Sequence, residues 1–264
     1  MNEIKFNIMK YIITSLALFV ATVSFAQKTV NASDILSDIK NGKNINISNA
    51  TIEGVLDLTY MDDALPSLPK RKRWWNSGGS NTVEKDISGS ISFVNCTFKN
   101  DVLAYIPHEE SGYTFIANFE DDAIFKNCTF ERKAMFKYSD FDKNADFSGS
   151  KFLEDSTFKY AEFSRNISFS DTLFEESATF KYADFRNFAN FANSIFKESA
   201  TFKYTKFKDG VSFKNVKFKE DLNLKYTEVH GEFNIQNMEV GYDIDSKYTK
   251  INGKSFNKYL LKSK

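Results

Sequence analysis

Phenylalanine recurs along this chain at alternating intervals of six and five residues. The pattern runs unbroken from Phe119 to Phe218 through 19 phenylalanines and gives a period of 22 residues. An amphipathic helix would repeat apolar residues every three or four positions and a half-buried strand every second position, so neither explains the spacing. A sustained period of this length indicates stacked structural units that bury one continuous core. It also accounts for 28 phenylalanines among 264 residues.

A small side chain lies two positions before almost every one of these phenylalanines. Examples are Ala134 before Phe136, Ser139 before Phe141 and Ala145 before Phe147. Side chains two apart on an extended segment share a face, so both members of each pair are predicted to point inward. Four short extended sides with a turn after each then form one coil with four inward phenylalanines. Equivalent residues of successive coils would stack at the strand spacing of ~4.8 Å.

Several tripeptides within the period look like the consensus of the pentapeptide-repeat family, which is Ala, then Asp or Asn, then Leu or Phe, then two variable residues. They are Ala117-Asn118-Phe119, Ala145-Asp146-Phe147, Ala183-Asp184-Phe185 and Ala189-Asn190-Phe191. The similarity covers roughly residues 117–251, and more weakly 47–52 and 93–98, and suggests an exported bacterial member. The resemblance implies an all-β fold, a right-handed quadrilateral β-helix. Alternate sides carry one residue more than the consensus, which leaves the cross-section and turn types open.

The segment ahead of the repeats has the features of a secretory signal peptide. Lys5 and Lys10 precede an apolar run over 11–25, and Ser24-Phe25-Ala26 is a small-x-small cleavage site. The run of about 15 residues is shorter than the ~20 that a membrane-spanning helix needs. We therefore predict cleavage after Ala26 and a mature protein without a membrane span that is secreted, periplasmic or on the cell surface.

The rest of the chain divides into a solenoid with a cap at each end. Residues 27–44 are predicted to form an N-terminal capping segment, with a short helix that begins at Ser33 as N-cap and stops at Gly42. The solenoid is expected over 45–251, interrupted by an insertion loop at 59–89 and an irregular stretch at 101–116. Residues 252–264 would be a C-terminal cap, helical from Ser255, because an open solenoid end is a sheet edge.

Two groups of residues are candidate ligand sites. An outward tyrosine row repeats every 22 residues as a candidate platform for polysaccharide: Tyr138, Tyr160, Tyr182, Tyr204, Tyr226 and Tyr248. Stacked tyrosines would equally stabilise neighbouring strands, by ~0.2–1 kcal/mol per contact. The second group lies in the insertion loop, where Arg71, Arg73, Trp74 and Trp75 suit an anionic or glycan ligand. The alternative is that the tryptophans pack on the solenoid wall.

The two cysteines, Cys96 and Cys128, occupy the small inward position in matching contexts. They are either buried free thiols or a disulfide between adjacent coils. Two cysteines and two distant histidines, His108 and His230, do not provide a metal site. We expect no cofactor.

Catalysis is disfavoured because neither histidine lies in a nucleophile, zinc or phosphate motif. The family resemblance suggests a DNA mimic that protects gyrase, but 35 basic and 35 acidic residues give no acidic rod. The same balance and the export signal disfavour nucleic-acid partners. A polysaccharide lyase would need clustered outward Asp and Arg residues. The expected function is a binding or structural module for cell-envelope or environmental polysaccharide, with a protein-protein interaction scaffold, such as one for another envelope protein, as the alternative. The oligomeric state is left open.

Overall fold

A computed structural model describes residues 27–69 and 81–256. Four sheets run along the molecule, and every neighbouring pair of coils is joined by parallel strands in each sheet. The expected right-handed quadrilateral β-helix is therefore confirmed. We number the four sheets as faces 1 to 4 in the order in which the chain visits them.

Most strands are two residues long because each side of a coil is short. Face 1 contains Ile45–Ser48, Ile91–Val94, Ala123–Lys126, Ala145–Asp146, Ile167–Ser168, Ala189–Asn190, Val211–Ser212 and Phe233–Asn234. Face 2 contains Lys28–Asn31, Ala50–Glu53, Thr97–Phe98, Thr129–Phe130, Lys151–Phe152, Leu173–Phe174, Ile195–Phe196, Lys217–Phe218 and Glu239–Val240. Face 3 contains Leu56–Asp57, Val102–Leu103, Ala134–Met135, Ser156–Thr157, Ala178–Thr179, Ala200–Thr201, Leu222–Asn223 and Ile244–Asp245. Face 4 contains Thr82–Ile87, Tyr105–His108, Tyr113–Phe119, Asp140–Phe141, Glu162–Phe163, Asp184–Phe185, Lys206–Phe207, Glu228–Val229, Lys250–Ile251 and Lys254–Ser255.

The phenylalanines fill the interior as the period predicts. All 19 from Phe119 to Phe218 are at most 2% exposed. Equivalent rings on successive coils lie nearly parallel, as in Phe158 and Phe180, whose centroids are 5.2 Å apart with planes at 3°. Rings from different faces meet edge to face, as in Phe180 and Phe191 at 5.3 Å and 88°. Both geometries are favourable for aromatic pairs, so the ring lattice adds to the transfer free energy of burial.

The alternation of five and six residues has its origin at the corners. The five-residue sides turn between faces 1 and 2 and between faces 3 and 4, through a residue with positive φ, such as Asn193 at 63° and Tyr182 at 62°. The six-residue sides use the extra residue in a bend at the other two corners, such as residues 142–144. The coil therefore has two tight corners opposite each other and two wider ones.

The N-terminal cap is a helix, but it starts earlier than expected. The helix spans Ala32–Lys40, and its N-cap is Asn31 rather than Ser33. Asn31 is the last residue of a face 2 strand that pairs with Ala50–Glu53, so the chain turns into the helix where that pairing ends. The helix buries Ala32, Ile35 and Ile39 in the core and is followed by Gly42 at φ 70°.

Both interruptions of the period contain regular structure. The first coil spans 46 residues and the second 32, against 22 in the rest of the solenoid. Within the expected loop at 59–89, Met61–Ala64 is helical, Leu65–Ser67 is a 3-10 turn and Thr82–Ile87 is a face 4 strand.

The stretch at 101–116, expected to be irregular, contains a face 3 strand and an antiparallel hairpin. The hairpin joins Tyr105–His108 to Tyr113–Phe119 through Gly112, which has φ 71°. Tyr113, Phe115 and the residues that alternate with them toward Phe119 are buried, which is strand periodicity.

The C-terminal end closes with a strand reversal. Lys254–Ser255 pairs antiparallel with Lys250–Ile251, so Ser255 does not begin a helix. Phe256 packs edge to face on Phe233, with centroids 5.5 Å apart. The remaining residues of the expected cap, 257–264, and the expected signal peptide, 1–26, lie outside the described residues. Neither helix within 27–69 and 81–256 has the length and hydrophobicity to span a bilayer.

Candidate functional site

The predicted tyrosine row forms one continuous ladder at the corner between faces 3 and 4. Its six members are Tyr138, Tyr160, Tyr182, Tyr204, Tyr226 and Tyr248. Neighbouring centroids are 4.6 to 4.8 Å apart and neighbouring planes lie within 21°. Each inner ring is therefore covered on both faces by the rings above and below it. The sequence suggested a platform of open ring faces, whereas the ladder presents ring edges and phenol hydroxyls, and Tyr248 at its end is 57% exposed.

The ladder extends beyond the six tyrosines that the period identified. Tyr105 lies 5.9 Å from Tyr138, with its ring tilted by 51°. Tyr60 holds the same corner in the first coil, with φ 52°. Its hydroxyl donates to the carbonyl oxygen of Leu36 at 2.6 Å, and burial, followed by nearby Asp57, raises the pKa of Tyr60 to about 12. The longer first and second coils hid both residues from a search at 22 residues. A tyrosine four residues after the start of each face 3 strand is the signal that would have found them.

A lysine precedes each tyrosine of the ladder and places its ammonium group near that ring. The six are Lys137, Lys159, Lys181, Lys203, Lys225 and Lys247. Each Nζ is 4.7 to 5.7 Å from the centroid of the adjacent tyrosine. This geometry is a cation-π contact, worth ~0.5–1 kcal/mol at an exposed site. None of the six forms a salt bridge with another described residue. Burial, then the neighbouring Lys137 and Lys181, lowers the pKa of Lys159.

The other flank of the ladder changes charge along the molecule. The outward positions of face 4 are Asp140, Glu162 and Asp184 in the earlier coils, and Lys206, Glu228 and Lys250 in the later ones. In the acidic part, burial followed by the nearby Glu162 raises the pKa of Asp140 to about 6. In the later part a groove of 510 Å³ is lined by Tyr182, Tyr204, Lys206, Tyr226, Glu228, Tyr248 and Lys250. Hydroxyl, ammonium and carboxylate groups therefore converge on one groove beside the last four tyrosines.

The opposite tight corner, between faces 1 and 2, carries a row of asparagines that sequence reasoning missed. Side-chain amides bond from coil to coil, as from Asn215 Nδ2 to Asn193 Oδ1 at 2.9 Å and from Asn193 Nδ2 to Asp171 Oδ1 at 3.0 Å. The row is broken at Gly149, where a Cβ would lie 2.0 Å from Asn127 Oδ1. Asparagine tolerates positive φ, and these amides bond to each other, so this corner is explained by structure alone. Recurrence of Asn193, Asn215 and Asn237 at 22 residues was the available signal.

The remaining candidates are partly outside the described residues. Arg71, Arg73, Trp74 and Trp75 fall in residues 70–80, which the structure does not describe. Cys96 and Cys128 are buried on adjacent coils as free thiols. His108 Nδ1 lies 2.8 Å from Ser111 Oγ and 3.3 Å from the amide nitrogen of Ser111, which closes the turn of the hairpin. No group of three or more His, Cys, Asp or Glu residues in the described part of the chain is placed to hold a metal ion.

Comparison with known proteins identifies the repeats. Residues 117–161, 158–206 and 180–228 match the family model described as pentapeptide repeats, with 9 copies. No curated protein and no solved structure matches the chain.

Proposed function

We propose that this solenoid of pentapeptide repeats is a non-catalytic module that binds polysaccharide of the cell envelope or environment along its tyrosine ladder. The repeats form a scaffold of stacked coils between residues 117 and 228 and beyond. The observation that carries the proposal is the backbone conformation of the tyrosines. All six members from Tyr138 to Tyr248 have φ between 58° and 64°.

A left-handed backbone is unfavourable for a bulky side chain, and a residue held there costs of order 1–3 kcal/mol. The opposite corner makes the same turn with Asn, Asp or Gly, as at Asn193, Asp171 and Gly149. The fold therefore does not require tyrosine at this turn. Stacking and cation-π contacts offset part of the cost, but they leave a row of phenol hydroxyls at the surface of every coil. Strained residues in a surface row are typical of functional sites.

The geometry favours a ligand that repeats along its length. Hydroxyl groups recur at the ring spacing of 4.6 to 4.8 Å beside a parallel row of ammonium groups. A polysaccharide offers hydroxyl donors and acceptors at regular intervals, and phenol hydroxyls both donate and accept. Because the inner ring faces are covered, contact would be through the hydroxyl rim and the 510 Å³ groove, with face stacking confined to Tyr248.

The location of the protein belongs to the same proposal. The charged residues, apolar run and small-x-small site within residues 1–26 support cleavage after Ala26 and a secreted, periplasmic or cell-surface protein. Such a location would bring the ladder to envelope polysaccharide. The proposal that the module is non-catalytic is supported by the histidine inventory, since His108 is engaged in a hairpin turn.

A protein-protein interaction scaffold is the second candidate. It is favoured by an apolar groove of 660 Å³ between the N-terminal helix and the first two coils. Leu36, Leu103 and Ile106 line this groove, and Val55 at its rim is 46% exposed. The groove lies at the other end of the molecule from the groove beside Tyr248, so variants can separate the two functions.

The test is co-sedimentation of residues 27–264 with a panel of insoluble bacterial and plant polysaccharides. The variant Tyr182→Asn/Tyr204→Asn removes two adjacent rings and keeps the turn, because asparagine makes that turn at the opposite corner. The matched control is Val55→Ser at the apolar groove. We expect retention of the wild type and the control and loss of retention in the tyrosine variant. Equal retention of both variants, or no retention of the wild type, would contradict the proposal.

A further inference from the structure

The two cysteines lie in register on neighbouring coils. Each follows an asparagine corner and precedes a face 2 strand, and Thr97 pairs with Thr129 directly after them. The amide nitrogen of Thr129 donates to the carbonyl oxygen of Cys96 at 2.8 Å. Neighbouring strands are ~4.8 Å apart, which falls within the Cα separation of ~4.4–6.8 Å that disulfides span. Both side chains point into the core, where they are at most 1% exposed.

The surroundings of the sulfur atoms are otherwise filled. Cys96 Sγ lies 3.5 Å from the carbonyl oxygens of Ile47 and Val94, and Cys128 Sγ lies 3.4 Å from that of Phe93. The thiols also hydrogen-bond each other, which lowers the pKa of Cys96 to about 7, while that bond and burial raise the pKa of Cys128. Ala50 and Ser150 hold the same position in the coils on either side. The two sulfurs are therefore each other's only sulfur neighbours in this row.

Their position in the solenoid is where a covalent link has the largest effect. Cys96 and Cys128 bracket the 32-residue coil that carries the Tyr105–His108 and Tyr113–Phe119 hairpin. The entropy lost when a coil closes rises with the number of residues in it, so this coil is harder to close than the 22-residue coils that follow. A bond between its two ends would remove that cost from folding.

We infer that Cys96 and Cys128 form an intrachain disulfide, made while the chain folds under oxidising conditions. One S–S bond replaces two S–H bonds. The two protons go to solvent, and the two electrons go to the disulfide of a thiol-disulfide oxidant, which leaves as two thiols. Exchange proceeds before the coils close, because the folded chain buries both sulfurs. The bond would fix the register of the solenoid at the end where the coils are irregular.

The test counts free thiols after folding with a known oxidant. Full-length protein is unfolded with reductant, refolded in reduced and oxidised glutathione, quenched in acid and alkylated with N-ethylmaleimide in denaturant. We expect no alkyl group on the folded wild type by intact mass, and two after reduction. Trypsin should release residues 86–99 joined to residues 127–132, and reduction should separate them. The control variants Cys96→Ala and Cys128→Ala should each keep one thiol that is alkylated or carries glutathione.

A parallel preparation guards against a wild type that fails to refold. Protein translated in an extract buffered with oxidised glutathione is alkylated in the same way, and circular dichroism establishes the β fold in both preparations. Two alkyl groups per folded wild-type chain, or a disulfide-linked dimer in place of the joined peptides, would overturn the inference.

Discussion

Replacing Phe180 with alanine tests how much one ring of the aromatic lattice contributes to stability. Phe180 is fully buried at the middle of the solenoid. Its ring lies between Phe158 at 5.2 Å and Phe202 at 4.9 Å, both with planes at 3°. It also meets Phe169 and Phe191 edge to face at 5.2 and 5.3 Å. The substitution therefore removes four aromatic contacts at once.

The cavity left behind has little scope to close. The amide nitrogen of Phe180 donates to Thr201 O at 2.8 Å, and its carbonyl oxygen accepts from Thr205 Oγ1 at 2.7 Å. These bonds hold the backbone to the next coil. Phe→Ala changes in cores cost about 3–5 kcal/mol, and the cost is highest where the site cannot collapse. Each aromatic pair adds ~0.5–1.5 kcal/mol beyond area burial. We therefore expect Phe180→Ala to lower the free energy of unfolding by about 5 kcal/mol.

The matched control is Phe180→Leu, because Leu224 holds the same row two coils later and is only 1% exposed. A hydrophobic replacement of similar volume is expected to cost about 1.5 kcal/mol. Urea titrations followed by far-ultraviolet circular dichroism give both values, provided that the slope with urea is unchanged. Phe180→Asp should prevent the central coils from folding, because it buries a charge without a partner. A loss below about 2 kcal/mol for alanine, or equal losses for alanine and leucine, would refute this reasoning.

Three further predictions concern polar residues of the solenoid. Ser139→Ala should be neutral or stabilising, because the buried Ser139 hydroxyl has no partner, whereas Ser194→Ala should cost about 1 kcal/mol, because Ser194 Oγ donates to Phe169 O; thermal unfolding of the pair compares them, and equal costs would contradict the assignment. Asn193→Ala should destabilise more than Asn193→Gly, since both lose the amide bonds but only glycine accepts φ 63° without strain; the reverse order in urea titrations would exclude strain as the cause. The pKa of Asp140 is raised from 3.8 to about 6, so the folded chain holds a proton that the unfolded chain has released, and this contribution to stability is lost as pH rises from about 4 to 6. Asp140→Asn should remove that loss in melting curves at pH 4 and 7, and an unchanged pH dependence would contradict it.

The sequence was most informative where one residue type does one job in every coil. The phenylalanine rows could be predicted because a large apolar side chain that recurs at fixed spacing has to be buried. The corners could not, because the choice between a left-handed turn and a wider bend depends on backbone geometry that the 5-6 spacing only restricts. Tyr182 and Asn193 make the same turn at opposite corners, yet nothing in their sequence contexts indicated it.

The candidate site was located correctly in sequence but interpreted without its packing. Stacking at the strand spacing follows from the fold, and it covers the ring faces that a sugar would otherwise contact. Tyr60 and Tyr105 were missed because insertions displace them from the period. The hairpin after Tyr105 was missed because Pro107 and a short turn obscure the alternation of Tyr113 and Phe115.

The central claim, that the ladder binds polysaccharide through its hydroxyl rim, is tested most directly by Tyr182→Phe/Tyr204→Phe. Both rings stay in the stack, at 4.7 Å from each other, and only the hydroxyls are lost. Sedimentation with the polysaccharide that retains the wild type measures the effect, and thermal unfolding shows whether the variant is intact. The account predicts an intact variant that is no longer retained. Full retention of that variant would contradict it.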